Sequence, residues 1–144
     1  MTTETAPRRR LFRSIVAILL GILTVVVLSL GTDQLLHVLG VYPPWGEAMH
    51  DPGSNLLALS YRCVFTVAGG YVTALAAPHA PMRHVWILAG IGLALGVLGA
   101  VATIPMHLGP AWYPIAIAIT AVPCTWLGGV LHRSRSAGRQ VPAG

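Results

Sequence analysis

The residues with the most chemical reach in this chain are Asp33, His37, Tyr61 and Arg62. Asp33 and His37 are spaced to share one face of a helix, with Gln34 beside them. Asp33 is the sole acidic residue within an apolar span and Arg62 the sole arginine within one. An isolated charge at the centre of a bilayer costs at least ~2.5–3.5 kcal/mol on insertion scales, and an opposite charge facing it reduces that penalty. The spacing therefore predicts an Asp33–Arg62 ion pair between two helices, with His37 and Tyr61 nearby. Such a cluster can lock a helical hairpin, or it can hold a polar solute or ion. Arg62 could instead extend along its apolar stem to the headgroups.

A second group lies in the segment Val41–Gly53. Its prolines stiffen it, and Tyr42 and Trp45 suit a membrane interface. Glu47, His50 and Asp51 are all able to ligate a divalent metal, but they follow no strict ligand pattern. A cap on the bundle or a surface for a partner is the stronger expectation. Among the histidines, His37 and His107 fall near one level, His84 and His132 near the other. Paired levels of histidine can ligate haem, yet all four are interfacial and none has a haem-attachment spacing. There is no glycine-rich phosphate loop, H-E-x-x-H or serine nucleophile elbow. The chain is expected to carry no catalytic residue, no cofactor and no bound metal. Cys63 and Cys124, offset by about 9 Å in depth when counted from the ends of their apolar runs at 1.5 Å per residue, are expected to be packing residues.

The elements that must position these groups follow from hydropathy. Of the 144 residues, 55% are hydrophobic and only 9% charged, with mean hydropathy +0.72. Soluble domains carry about 25% charged residues, which excludes an ordinary water-facing globule. Four apolar runs, roughly Leu11–Leu39, Leu56–Ala77, Val85–Ile104 and Ala111–Leu131, each supply the ~20 residues needed to cross a hydrocarbon core of about 30 Å. The expected fold is all-α: a single membrane-embedded four-helix bundle, up-down-up-down, with both termini cytoplasmic. Its parts are a tail (1–14), spans at 15–38, 55–77, 84–104 and 111–132, outer loops at 39–54 and 105–110, an inner loop at 78–83, and a tail (133–144). Arg9-Arg10-Leu11-Phe12 loosely follows a twin-arginine export signal. The apolar run after it exceeds a signal h-region of about 7–15 residues, so a retained helix is expected.

Charge sets the orientation. Arg8, Arg9, Arg10, Arg13, Arg133, Arg135 and Arg139 lie in the tails, Arg83 lies in the loop between the middle spans, and there is no lysine. The loops at 39–54 and 105–110 have no basic residue except histidine. Basic flanks belong on the cytoplasmic side, so the net charge of +5 is a topology signal and not a nucleic-acid patch. Small residues at four-residue spacing, Gly92/Gly96/Ala100 and Thr66/Gly70/Ala74, and Ala118, Thr125 and Gly129 near one face with Ala121 beside them, would let helices approach closely. They would serve the bundle, a homo-oligomer or a membrane-protein partner alike. Pro123 should kink the last span and free the Ile119 carbonyl, which Thr120 or Thr125 could help satisfy.

Three blocks carry a resemblance: Leu30-Gly31-Thr32-Asp33…Leu36-His37…Tyr42-Pro43-Pro44-Trp45-Gly46, Tyr61-Arg62…Gly69-Gly70-Tyr71…Ala77-Pro78, and Trp112-Tyr113-Pro114…Pro123-Cys124-Thr125-Trp126-Leu127-Gly128-Gly129. In these the chain resembles a group of small bacterial four-helix inner-membrane proteins with no assigned activity. The resemblance implies a topology and a bacterial-type plasma membrane, and nothing catalytic. The leading functional expectation is a non-enzymatic oligomeric or partner-binding module whose environment is the lipid bilayer. The competing one is a small-solute or ion permease using Asp33, Arg62 and His37. A haem or redox membrane enzyme ranks behind both.

Overall fold

A computed structural model describes residues 5–139. It is all-helical, with α1 (Thr5–Val38), α2 (Pro52–Ala76), α3 (Pro81–Thr103), a 3₁₀ turn (Ile104–Met106) and α4 (Trp112–Gly138). All four α-helices are long and apolar enough to cross a membrane.

The helix ends have local causes. Gly40 closes α1 at a left-handed φ of 71°. The Val41 N–H donates to the Leu36 carbonyl (2.9 Å) and the Gly40 N–H to the His37 carbonyl (3.1 Å), the paired bonds of a Schellman motif. Asp51 caps α2 by accepting from the Ser54 N–H at 2.7 Å, and Pro52 occupies the first turn, where no N–H is needed. Ala77 is extended (ψ 129°), as the residue before Pro78 should be. Pro81 then opens α3.

The helices overrun the apolar runs. α1 is already helical at Arg8–Arg13 and α4 continues through Arg133 and Arg135. Arginine is a good helix former, so leaving the apolar stretch changes the surroundings and not the backbone. α2 starts a full turn before Leu56. That removes most of the depth offset expected between Cys63 and Cys124, which are free thiols.

The interior is built of small side chains. Ala17, Ala58, Ala74, Ala89, Ala100 and Ala118 are buried, while Leu19, Leu23, Val27, Leu30, Leu95, Val101 and Ile119 face outward. A water-soluble bundle would reverse that distribution; in lipid, packing comes from close backbone approach. α2 and α4 form the tightest pair, α1 rests mainly on α2, and α3 on α4. Gly21 and Gly69 face each other across α1 and α2, Gly70 lies on the Thr125 backbone, Gly128 on Val67 and Tyr71, and Gly129 on Val85. Gly96 meets Ala118 between α3 and α4. The small-residue stripes at Gly70, Gly96, Ala118, Thr125 and Gly129 are thus used within the chain. Gly92 makes only ordinary contact with Ala121, and Gly90 and Gly99 face open space.

Pro123 lies inside α4. The neighbouring threonines bond other carbonyls: Thr120 donates to Ala116 or Ile117, and Thr125 to Ala121. Neither serves Ile119.

Candidate functional site

The polar residues gather where α1 and α2 meet the loop between them. Asp33 is only 5% exposed although it is a carboxylate. Its Oδ1 accepts the Tyr61 hydroxyl and its Oδ2 accepts Arg62 Nη2, which completes a salt bridge. Arg62 reaches Asp33 because helical side chains lean toward the helix N-terminus, and the N-terminus of α2 lies at this end. The predicted pair therefore exists, and Tyr61 is a direct member of it.

Tyr42 extends the cluster into the loop. Its hydroxyl lies 3.4 Å from that of Tyr61 and 3.3 Å from the Ser54 carbonyl, so its one proton serves either. Burial pushes the Tyr42 phenol above its ordinary pKa, against the opposing effect of the Tyr61 hydrogen bond. His37 lies beside the pair and bonds the backbone of Asp33, not its carboxylate. Its Nδ1 lies 2.7 Å from the backbone carbonyl of Asp33, which as an acceptor calls for the Nδ1–H tautomer. The ring stacks on Trp45 with centroids 4.0 Å apart and meets Tyr42 edge-on. Trp45 Nε1 donates to Gln34 at 3.1 Å. His37 thus fastens the loop to α1 and leaves the carboxylate to Tyr61 and Arg62.

Of the loop residues, Tyr42 is buried, whereas Trp45, Glu47, His50 and Asp51 are exposed. Both Ser54 bonds to Asp51, from N–H and from Oγ, land on the same carboxylate oxygen and hold its pKa below the ordinary carboxylate value. Asp51 is therefore a helix cap. Among the described residues no three His, Cys, Asp or Glu side chains gather as a metal site. Of the other histidines, His84 engages the Ala80 carbonyl and the His79 ring, and His132 meets Tyr71.

Two contributors were missed in the sequence. Asn55, 1% exposed, donates from Nδ2 to the carbonyls of Met49 and Asp51, both at 2.9 Å. Met49 N–H in turn donates to the Leu108 carbonyl at 2.8 Å, joining the two loops at this end. Asn55 is the chain's lone asparagine, set in the first turn of a helix, and that rarity was the available signal. Tyr113 presents its ring 6.0 Å from the Arg62 guanidinium carbon.

Behind Arg62 a cavity of about 540 Å³ extends between all four helices. Arg62, Thr66 and Tyr113 contribute to its wall, with Leu88, Ile91 and Ile117 among the apolar remainder. The Arg62 Nε is buried and has no hydrogen-bond partner.

No family model, no curated protein and no solved structure matches the chain.

Proposed function

We propose that this chain is a non-enzymatic, multi-pass protein of a bacterial-type plasma membrane, a scaffold that presents its longer loop to a membrane-protein partner or a second copy of itself. Both termini and Arg83 lie in the cytoplasm, and the loops around Trp45 and Leu108 lie outside. The arginine distribution supports this orientation. One observation carries the functional reading. The side chains of the outer end bond one another in series, from Gln34–Trp45 through His37 and Tyr42 to Tyr61, Asp33 and Arg62, with Arg62 Nε left unpaired. A network in that state fixes shape and leaves Trp45, Glu47 and His50 as the exposed face.

A permease is the second reading, because Arg62 opens on the cavity. Thr66 and Thr125, the polar side chains deeper in the wall, donate to carbonyls of their own helices, so they extend no polar path. Two measurements test these readings. Single cysteines at Glu47→Cys and Arg83→Cys, in a chain lacking Cys63 and Cys124, should react with an impermeant maleimide from opposite faces of the membrane; reaction from one face ends the proposed orientation. Proteoliposomes of the pure protein should show no solute or ion flux that Arg62→Ala alters; a flux lost in that variant would establish the permease.

A further inference from the structure

We propose that the interhelical cavity holds a single-chain neutral lipid with a hydroxylated head, of the monoacylglycerol type, its head at Asn55 and Tyr113 and its chain along α3. The inference goes beyond the scaffold reading and does not depend on it.

The cavity is long and narrow. Its wall follows α3 from Leu88 to Thr103 at three- and four-residue spacing, a length of ~22 Å at 1.5 Å per residue. About 540 Å³ spread over that length gives a mean cross-section of ~25 Å², room for one hydrocarbon chain and not two. It also has a direction. Leu88 lies at the deep end, while Met49, Asn55, Leu108 and Tyr113 lie at the loop end, the level of the outer headgroups.

The free polar atoms define the head. Thr66, Thr103 and Thr125 line the cavity with their hydroxyl protons already given to backbone carbonyls. Asn55 has given its Nδ2 hydrogens to the Met49 and Asp51 carbonyls, so its Oδ1 can only accept. Among the described residues, neither Asn55 Oδ1 nor the Tyr113 hydroxyl makes a hydrogen bond, yet neither atom is sealed off. Asn55 as a whole is only 1% exposed, so Oδ1 is nearly all of it that an incoming molecule can touch. Arg62 has less to offer: Nη2 is held by Asp33 and Nε is enclosed, which leaves Nη1. The complementary head therefore brings a donor for Asn55 and an acceptor for Tyr113, and hydroxyl groups are both. An ester or ketone alone would leave Asn55 Oδ1 desolvated and unpaired.

Charge argues the same way. An ionised carboxylate brings no donor to Asn55. The Arg62 cation is already balanced by Asp33, and a second anion in a low-dielectric site is costly.

The bilayer is the source. α1 and α3 touch only lightly. Val26 on α1 and Leu95 on α3 line the cavity while being 44% and 57% exposed, so they mark a mouth at hydrocarbon depth. Gly99 lies at the centre of the lining face of α3, and a Cβ there would meet nothing within 4 Å, which leaves that face open for a chain.

The test uses the full chain in phosphatidylcholine vesicles and a monoacylglycerol carrying a diazirine on its acyl chain. After irradiation, labelling is read by mass spectrometry at Ile117, which lines the cavity, relative to Ile119, which faces outward. Labelling of Ile117 should saturate. Unlabelled monoacylglycerol should compete about fivefold better than its di-O-methyl ether, which keeps the acceptors and loses the donors, and better than the fatty acid of equal chain length at neutral pH. Tyr113→Phe keeps the ring beside Arg62 and removes a hydroxyl without a protein partner. It should elute and melt as the parent does and lower Ile117 labelling about fivefold, the loss of one net hydrogen bond. Gly99→Leu fills the chain's path without a clash and should lower the labelling at least as much while folding normally. Unchanged Ile117 labelling in either variant would overturn the proposal, as would equal competition by the dimethyl ether or stronger competition by the fatty acid.

Discussion

The two ends of the bundle are built from the same four helices and held by different forces. In the half nearer the loop between α2 and α3, contact is backbone on backbone: Gly21 with Gly69, Gly70 with Thr125, Gly128 with Val67 and Tyr71. Dispersion at short range does the work there, because lipid is as apolar as the side chains and offers little other drive. In the other half the cavity opens between the helices, Gly96 still meets Ala118, and ties between polar groups join α1, α2 and the loop between them. Close packing leaves no room for a ligand, whereas a polar frame can brace helices that do not touch. The difference lets one half act as an anchor while the other keeps an opening.

The sharpest way to break this contrast is to put bulk into the anchored end. Gly70→Leu would drive a side chain into the Thr125 backbone, which cannot rotate away. Overpacking of this kind costs about 1–3 kcal/mol in adaptable cores, and an unyielding backbone places this site at or above the upper end. The variant should accumulate poorly in membranes and lose its monodisperse elution in mild detergent. Gly31→Leu is the control, since nothing lies within 4 Å of that position; it should match the parent. Equal behaviour of the two variants would mean that glycine contact does not hold the anchored half.

The polar frame is tested by charge. Asp33→Arg leaves two cations and Arg62→Asp two carboxylates, each losing about 2.5–3.5 kcal/mol on insertion scales. Arg62 is 32% exposed along its side chain, which puts its own reversal toward the lower figure. The double exchange should recover much of the loss in membrane accumulation and melting temperature, but not all. Tyr61 also donates to Asp33, and a carboxylate moved to its own helix neighbour would not receive that bond. A double variant no better than the singles would refute the pairing.

How far the sequence revealed these two halves depends on the kind of interaction. The four spans were legible because hydropathy acts over whole segments. The Asp33–Arg62 pair was legible because a lone charge in an apolar run demands a partner, and the chain offers one of each sign. The small-residue stripes were visible, but not which glycines met another helix; Gly70 touches and Gly90 does not. That depends on helix rotation, which composition does not encode. His37 was placed near the pair by its spacing, but its stacking on Trp45, eight positions further along, was not legible. Loop folding decides that contact and no periodicity announces it. The cavity was not legible at all, since it is where side chains are missing.

The smallest effect belongs to the first turn of α2, where the polar frame begins. Asp51 accepts the Ser54 N–H and hydroxyl, and its pKa is lowered by those bonds. A carboxylate whose pKa falls on folding stabilises the folded state above its unfolded value, about 3.9, and that contribution disappears as the pH drops through the lower folded value. The melting temperature of the parent in detergent should therefore hold steady from neutral pH down to about 4 and then decline. Asp51→Asn still caps the helix through its amide oxygen, so it should melt close to the parent at neutral pH while losing the part of the acid decline that Asp51 supplies. Asp51→Ala should be the less stable of the two at neutral pH, and its effect should shrink below that range because the parent has then lost its ionised cap as well. The anchored half contains no carboxylate among its glycine contacts, so Gly70→Leu should impair the protein equally across the same pH interval. If acid instead erased the difference between Gly70→Leu and the parent, the two halves would be melting as one unit, and the separation of forces between them would not extend to stability.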